Sequence, residues 1–107
     1  MTFLRACALS ELADSTPLRV EVDGLDVVLV RHENEVFAIE DECSHAAVAL
    51  SEGDVDDCTI ECWMHGSRFD LRTGKPTGPP ATEPVSVFPV QVTGDDVLVD
   101  IEAPLAG

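Results

Sequence analysis

Between residues 43 and 65 the chain sets ligand-type side chains in two short pairs. Cys43-Ser44-His45 is followed by sixteen residues, then by Cys62-Trp63-Met64-His65 and Gly66-Ser67. A thiolate and an imidazole two or three positions apart reach a common centre from a single turn. Two such turns supply four ligands, a tetrahedral set for one metal or two pairs for a two-metal cluster. The whole chain has only four Cys and three His, so composition alone does not produce two pairs at these spacings. Any fold for this sequence must bring two separate loop tips to one place.

The segments on either side read as strands. Phe3 to Leu9 forms a first strand, and Ser10 to Ala13 a turn or one helical turn. Pro17 to Val22 puts Leu18, Val20 and Val22 on one face, the alternation of a half-buried strand. Asp23-Gly24 is a tight-turn dipeptide and Leu25 to Arg31 the return strand of a hairpin. Glu33-Asn34-Glu35 turns the chain into Val36 to Glu40. At the other end, Val85 to Val92, a turn at Thr93 to Asp96, and Val97 to Ile101 make a last hairpin. No 3.6-residue periodicity lasts long enough for a substantial helix, and no internal repeat is present.

The fold class is therefore all-β: an antiparallel β-sandwich or small barrel carrying a loop-rich insert. The base is assigned to 1–40 and 83–107 of a single domain, and the insert to about 41–82. An insert of about forty residues without regular structure needs an organising centre of its own. A bound metal supplies one, because ligation ties the loop tips together and its binding energy becomes folding energy.

C-x-H followed after sixteen residues by C-x-x-H resembles the ligand signature of Rieske [2Fe-2S] proteins, in which two His replace two Cys on one iron. Gly66-Ser67-Arg68-Phe69-Asp70 and Gly78-Pro79-Pro80-Ala81 resemble that family's cluster loops. More weakly, the likeness to a small Rieske ferredoxin extends over nearly the whole chain. The resemblance implies one [2Fe-2S] cluster, with Cys43 and Cys62 on one iron and His45 and His65 on the other. It implies a hydrogen bond from Ser67 to a cluster sulfur, and Phe69 stands where higher-potential members have a Tyr hydroxyl. Gly66 would let backbone approach a sulfur or turn tightly, and Trp63 and Met64 would shield the cluster or pack under it. Pro79, in the stiff Gly78-Pro79-Pro80 segment, would close a third side. Respiratory members brace their loops with a disulfide whose positions here are Val48 and Met64, so that brace is missing. This departure points to the ferredoxin branch and to a reducing compartment.

The other two cysteines lie outside the motif. Cys7, in a strand, reads as a buried small hydrophobe. Cys58 and Cys62, if joined by extended chain, have α-carbons roughly 13 Å apart, too far for a disulfide. His32, between Arg31 and Glu33, reads as a solvated surface residue.

A net charge of −15 argues against nucleic acid and anionic membranes as partners and suits docking onto basic patches of redox proteins. The longest apolar run, around Val27 to Val30, is far short of the roughly 20 residues of a membrane span. The first residues lack the basic and apolar regions of a secretory signal. The expectation is a soluble, cytoplasmic monomer.

Neutral imidazoles in place of two thiolates leave the oxidised cluster near zero charge, which raises its potential into a range of roughly −150 to +300 mV. Acidic residues around the loops (Glu40, Asp41, Glu42, Glu52, Asp54, Asp56, Asp57 and Glu61) oppose reduction and favour the low end of that range. The resemblance implies a one-electron carrier between a flavin-dependent ferredoxin reductase and the terminal oxygenase of an aromatic-ring-hydroxylating dioxygenase. A carrier for another system such as nitrite reduction, and a zinc-binding structural or interaction module, are the alternatives. A catalytic oxygenase is rejected, because its mononuclear iron needs two more His and a carboxylate and only His32 is left over.

Overall fold

The computed structural model describes residues 3–42, 49–63, 66–77 and 83–102. Among them the regular structure is almost entirely β, in three antiparallel sheets. The first contains β1 (Leu4–Ala8), β9 (Val90–Thr93) and β10 (Asp96–Val99), in the order β1-β10-β9. The second contains β2 (Leu18–Val22), β3 (Leu25–His32), β4 (Glu35–Glu40) and β8 (Val87–Phe88), in sequential order. The third is small and lies inside the insert: β5 (Val55–Asp56), β6 (Thr59–Glu61) and β7 (Arg68–Asp70). Two three-residue 3-10 turns, Leu9–Glu11 and Leu50–Glu52, are the only helical elements among the described residues.

Turn chemistry sets the hairpins. Asp23 and Gly24 both have positive φ (49° and 85°), as do Glu33 and Asn34 (50° and 68°). Two consecutive positive-φ residues mark the type I′ turn, whose twist matches that of paired strands. The β3–β4 turn is thus two residues long, and Glu35, expected in the turn, already belongs to β4 and pairs with His32.

The second sheet is buried on both faces. Val27 and Leu29 point to one side, packing with Ala38, Cys7, Phe88, Val97 and Val99 against the first sheet. Val28 and Val30 point to the other, packing with Ile39, Ile60, Phe69, Leu71 and Val85 against the insert. All four residues of the Val27–Val30 run are fully buried. A continuous apolar run is what a doubly covered strand requires.

Two further expectations are corrected. The single strand over Val85 to Val92 is broken at Pro89: β8 pairs with β4 in the second sheet, and β9 pairs with β10 in the first. Proline has no N–H to continue a ladder, so the chain changes sheets there, while the Pro89 carbonyl still accepts a bond from Asp100 N–H (3.2 Å). The insert is not structureless, because β5–β7 give it a sheet of its own. Its first turn, Asp57-Cys58, has φ of 48° and 60°, so Cys58 sits in a tight turn rather than in extended chain.

Cys7, Cys58 and Cys62 are unbridged and buried. Burial pushes the Cys7 and Cys58 thiols up from their ordinary value, as for small apolar core residues. His32 ends β3 half-buried rather than free in solvent, its Nδ1 3.2 Å from Ser15 Oγ.

Insert and base also meet backbone to backbone at Gly74. Its N–H donates to Asp70 O (2.7 Å) and its carbonyl accepts from Val85 N–H (2.8 Å), at a φ of +76°. A Cβ there would overlap the Val85 carbonyl and come 2.9 Å from Val87 Cγ2. Gly94 has a similar φ of +62° but open space around it. Gly74→Ala should therefore cost about 2 kcal/mol or more, roughly 10 °C in thermal midpoint, and clearly more than Gly94→Ala. Equal midpoints for the two variants would show that the close approach at Gly74 contributes nothing.

Candidate metal centre

The second ligand pair of the sequence lies on the loop between β6 and β7. Glu61 and Arg68, opposite each other at the strand ends, hold its mouth with an ion pair of 3.1 Å. Inside that pair the loop closes on its own backbone. Cys62 N–H donates to the Ser67 carbonyl (2.6 Å), and Gly66 N–H donates to the Cys62 carbonyl (2.9 Å). Gly66 takes a φ of +75°, the left-handed conformation that a side chain disfavours. The tight-turn role expected of it is met.

Cys62 is 0% exposed and belongs to the apolar cluster shared by the insert and the second sheet. A sulfur buried at the foot of a closed loop is shielded from water that would compete for a metal. The donor set and this burial fit an iron–sulfur group held by thiolates and imidazoles. Ser67 is buried beside it, and Phe69, where a hydroxyl would otherwise stand, is fully buried in the same core. Trp63 is 51% exposed, which removes the expectation that it packs beneath the site. Met64 and His65 lie outside the described residues.

Cys43 and His45, the first ligand pair, and Val48 also lie outside the described residues. The two ends of the segment that carries them are joined by a side chain. The Asp41 carboxylate accepts bonds from Ser51 N–H (2.7 Å) and Ser51 Oγ–H (2.8 Å), and Arg19 Nε approaches to 3.4 Å. Asp41 N–H in turn donates to the Asp26 carbonyl (3.1 Å). Asp41 is among the acidic residues expected to oppose reduction. Its side chain is instead fully buried and paired, and Glu61 is paired as well, so part of the expected negative field is compensated. Nothing in the sequence pattern marked Asp41 or Ser51 as joined. A shallow cleft of 240 Å³, lined by Gly24, Leu25, Asp26, Glu40, Asp41 and Glu42, flanks this end of the segment.

The third element expected near the site, Gly78-Pro79-Pro80, lies outside the described residues. The chain enters it alongside β7, with Thr77 N–H bonded to the Arg68 carbonyl (2.8 Å). On the far side of the insert, Arg72 stacks 5.4 Å from the centre of the Phe37 ring and lies 3.9 Å from Glu35, joining the β7 turn to β4.

A family model described as the Rieske [2Fe-2S] domain matches residues 2–89. The biphenyl dioxygenase ferredoxin subunit of Pseudomonas sp. (strain KKS102) is 41% identical over 101 residues, covering 94% of this chain and 93% of that protein. Among solved structures, the ferredoxin of carbazole 1,9a-dioxygenase from Nocardioides aromaticivorans IC177 matches with a TM-score of 0.88 at 40% identity, over 92% of this chain and 97% of that one. A chain in the complex of reduced oxygenase and oxidized ferredoxin in carbazole 1,9a-dioxygenase matches with a TM-score of 0.85 at 38% identity, over 91% of each. With a buried cysteine at the base of a closed loop, three antiparallel sheets and full-length relatives that are dioxygenase ferredoxins, the chain belongs to the Rieske [2Fe-2S] family.

Proposed function

We propose that Cys43 and Cys62 hold one iron of a [2Fe-2S] cluster and His45 and His65 the other, and that the chain carries single electrons to the terminal oxygenase of an aromatic-ring-hydroxylating dioxygenase. The observation that carries this reading is Cys62, fully buried at the foot of a loop that its own backbone closes. The family match spans both ligand pairs, and dioxygenase ferredoxins of nearly the same length are the relatives. The chain is an electron-transfer component with no catalysis of its own.

A bound cluster of this type supplies reversible one-electron transfer at a potential above that of all-thiolate ferredoxins. The residues around it would do the rest. The closed loop keeps Cys62 buried, and a hydrogen bond from Ser67 to a sulfur would favour the reduced state. Trp63, exposed beside Cys62, and Pro79 would cover the cluster from solvent. The insert, about 41–82, would form the cluster-binding part, and 1–40 with 83–107 its base.

Among the described residues no helix is long and apolar enough to cross a membrane. The proposed setting is the cytoplasm, with the protein a monomer that meets two partners in turn, the second being a flavin-dependent ferredoxin reductase. Four of its few cations are already paired within the fold: Arg5 with Asp96, Arg19 with Asp26 and Asp41, Arg68 with Glu61 and Arg72 with Glu35. With a net charge of −15, the outer surface keeps a large excess of acid. That excess suits basic partners and repels nucleic acid and anionic lipid.

Two outcomes follow. His45→Cys or His65→Cys should lower the midpoint potential of any cluster retained, or lose the cluster, because a thiolate adds negative charge to the centre; a zinc site of the same four ligands would tolerate either change. A potential unchanged in both variants removes the assignment of these imidazoles. Stopped-flow electron transfer to the oxygenase should slow as ionic strength rises, since encounter would be steered by opposite charge over a screening length of about 10 Å at 0.1 M salt. Rates flat from low to high salt would contradict acidic docking.

A further inference from the structure

The two ligand-bearing segments are closed in different ways. The Cys62–Ser67 loop is shut by main-chain bonds at its own ends. The ends of the segment from Asp41 to Ser51 are held by one carboxylate. Asp41 closes β4 on one side of Cys43, and Ser51 opens the chain again after His45 and Val48.

The 3-10 turn Leu50–Glu52 gets no side-chain cap from its own leading residue, Ala49. Asp41 supplies the acceptor from nine residues upstream of Leu50, taking the Ser51 N–H at 2.7 Å while it also takes the hydroxyl at 2.8 Å. Leu50, beside Ser51, is buried in the core shared with Cys62, so the far end of the clasp is anchored in that core. Arg19 reaches Asp41 from β2 at 3.4 Å, and Asp41 N–H bonds to the Asp26 carbonyl of β3. The carboxylate is thus fixed to the base sheet on one side and to the insert on the other. Its side chain is shielded completely from solvent, and a buried carboxylate bonded twice to one residue holds that residue's position more firmly than an exposed pair does.

We infer that Asp41 is the positioning residue of the first ligand segment: with Ser51 it forms a clasp that fixes where Cys43 and His45 are presented to the cluster. This rests on the ligand assignment proposed above. Loss of the clasp should leave the sheets intact and loosen one side of the metal site.

The test compares cluster-loaded wild type with Asp41→Ala, Ser51→Ala, the double variant, and Val97→Ala. Val97 is fully buried in β10, in the other core, so its truncation weakens the fold without touching the clasp. Bleaching of the visible absorption is followed well below the unfolding temperature, together with midpoint potential and the reduced-state EPR line shape. Hydrogen bonds to charged groups contribute enough that Asp41→Ala should lose its cluster about tenfold faster than wild type. Ser51→Ala should lose it a few-fold faster, with an altered line shape and a shifted potential. The double variant should be no faster than Asp41→Ala, because both substitutions remove the same contact. Val97→Ala should unfold at lower temperature but keep wild-type cluster lifetime, potential and spectrum.

Wild-type lifetimes and spectra in both Asp41→Ala and Ser51→Ala would overturn the clasp, as would fully multiplicative effects in the double variant. Cluster loss in Val97→Ala as fast as in Ser51→Ala would overturn it too, by reducing the effect to general stability. Should Asp41→Ala fail to fold, Ser51→Ala against Val97→Ala decides the matter alone. Iron-free wild type would instead sink the ligand assignment, a result distinct from all of these.

Discussion

The burial of one strand on both faces organises the molecule. Val27 and Leu29 belong to the core under the first sheet, while Val28 and Val30 belong to the core under the insert, and none of the four meets solvent. Full burial of an aliphatic side chain contributes about 1.5–3 kcal/mol, so β3 alone commits several kcal/mol to each interface. The insert is consequently part of the structural core. Lifting it away would uncover Val28, Val30 and Ile39 as well as its own Ile60, Phe69 and Leu71. Gly74, with no room for a Cβ against Val85, shows how closely the two parts approach.

That attachment gives the site its footing. Cys62 sits in the shared core, and the loop that begins with it is closed by backbone, so that cysteine is held by the sheet itself. The segment bearing the first pair is tied by a side chain, Asp41, whose carboxylate joins β4 to the 3-10 turn at Leu50–Glu52. Four of the five arginines are ion-paired within the fold, and the chain as a whole is strongly acidic.

Much of this was legible in the sequence where local chemistry is specific. Asp23-Gly24 between alternating strands gave the first hairpin, and the absence of helical periodicity gave the fold class. The two Cys/His pairs stood out because spacing alone would let such residues reach one centre. The third sheet escaped notice because its strands are two or three residues long, too short for alternation, and because its turn, Asp57-Cys58, has no glycine to mark the positive φ. Val27–Val30 is the return side of the hairpin that the sequence suggests, and its unbroken apolar run is also the signature of a strand covered twice. Pro89 lay within a convincing alternation, and only its missing N–H betrays the change of sheet. Asp41 looked like one acid among many, because pairing with Ser51 and Arg19 depends on contacts that no local pattern encodes.

The central claim is that two loop tips share a pair of irons, sulfur on one and imidazole nitrogen on the other. Protein reconstituted with ⁵⁷Fe, labelled with ¹⁵N at histidine and chemically reduced, tests it through Mössbauer and electron–nuclear double resonance spectra. The expected result is two inequivalent irons, ferric and ferrous, with nitrogen couplings from two imidazoles on the ferrous one. Two irons with sulfur-only coordination, or zinc in place of iron, would contradict it.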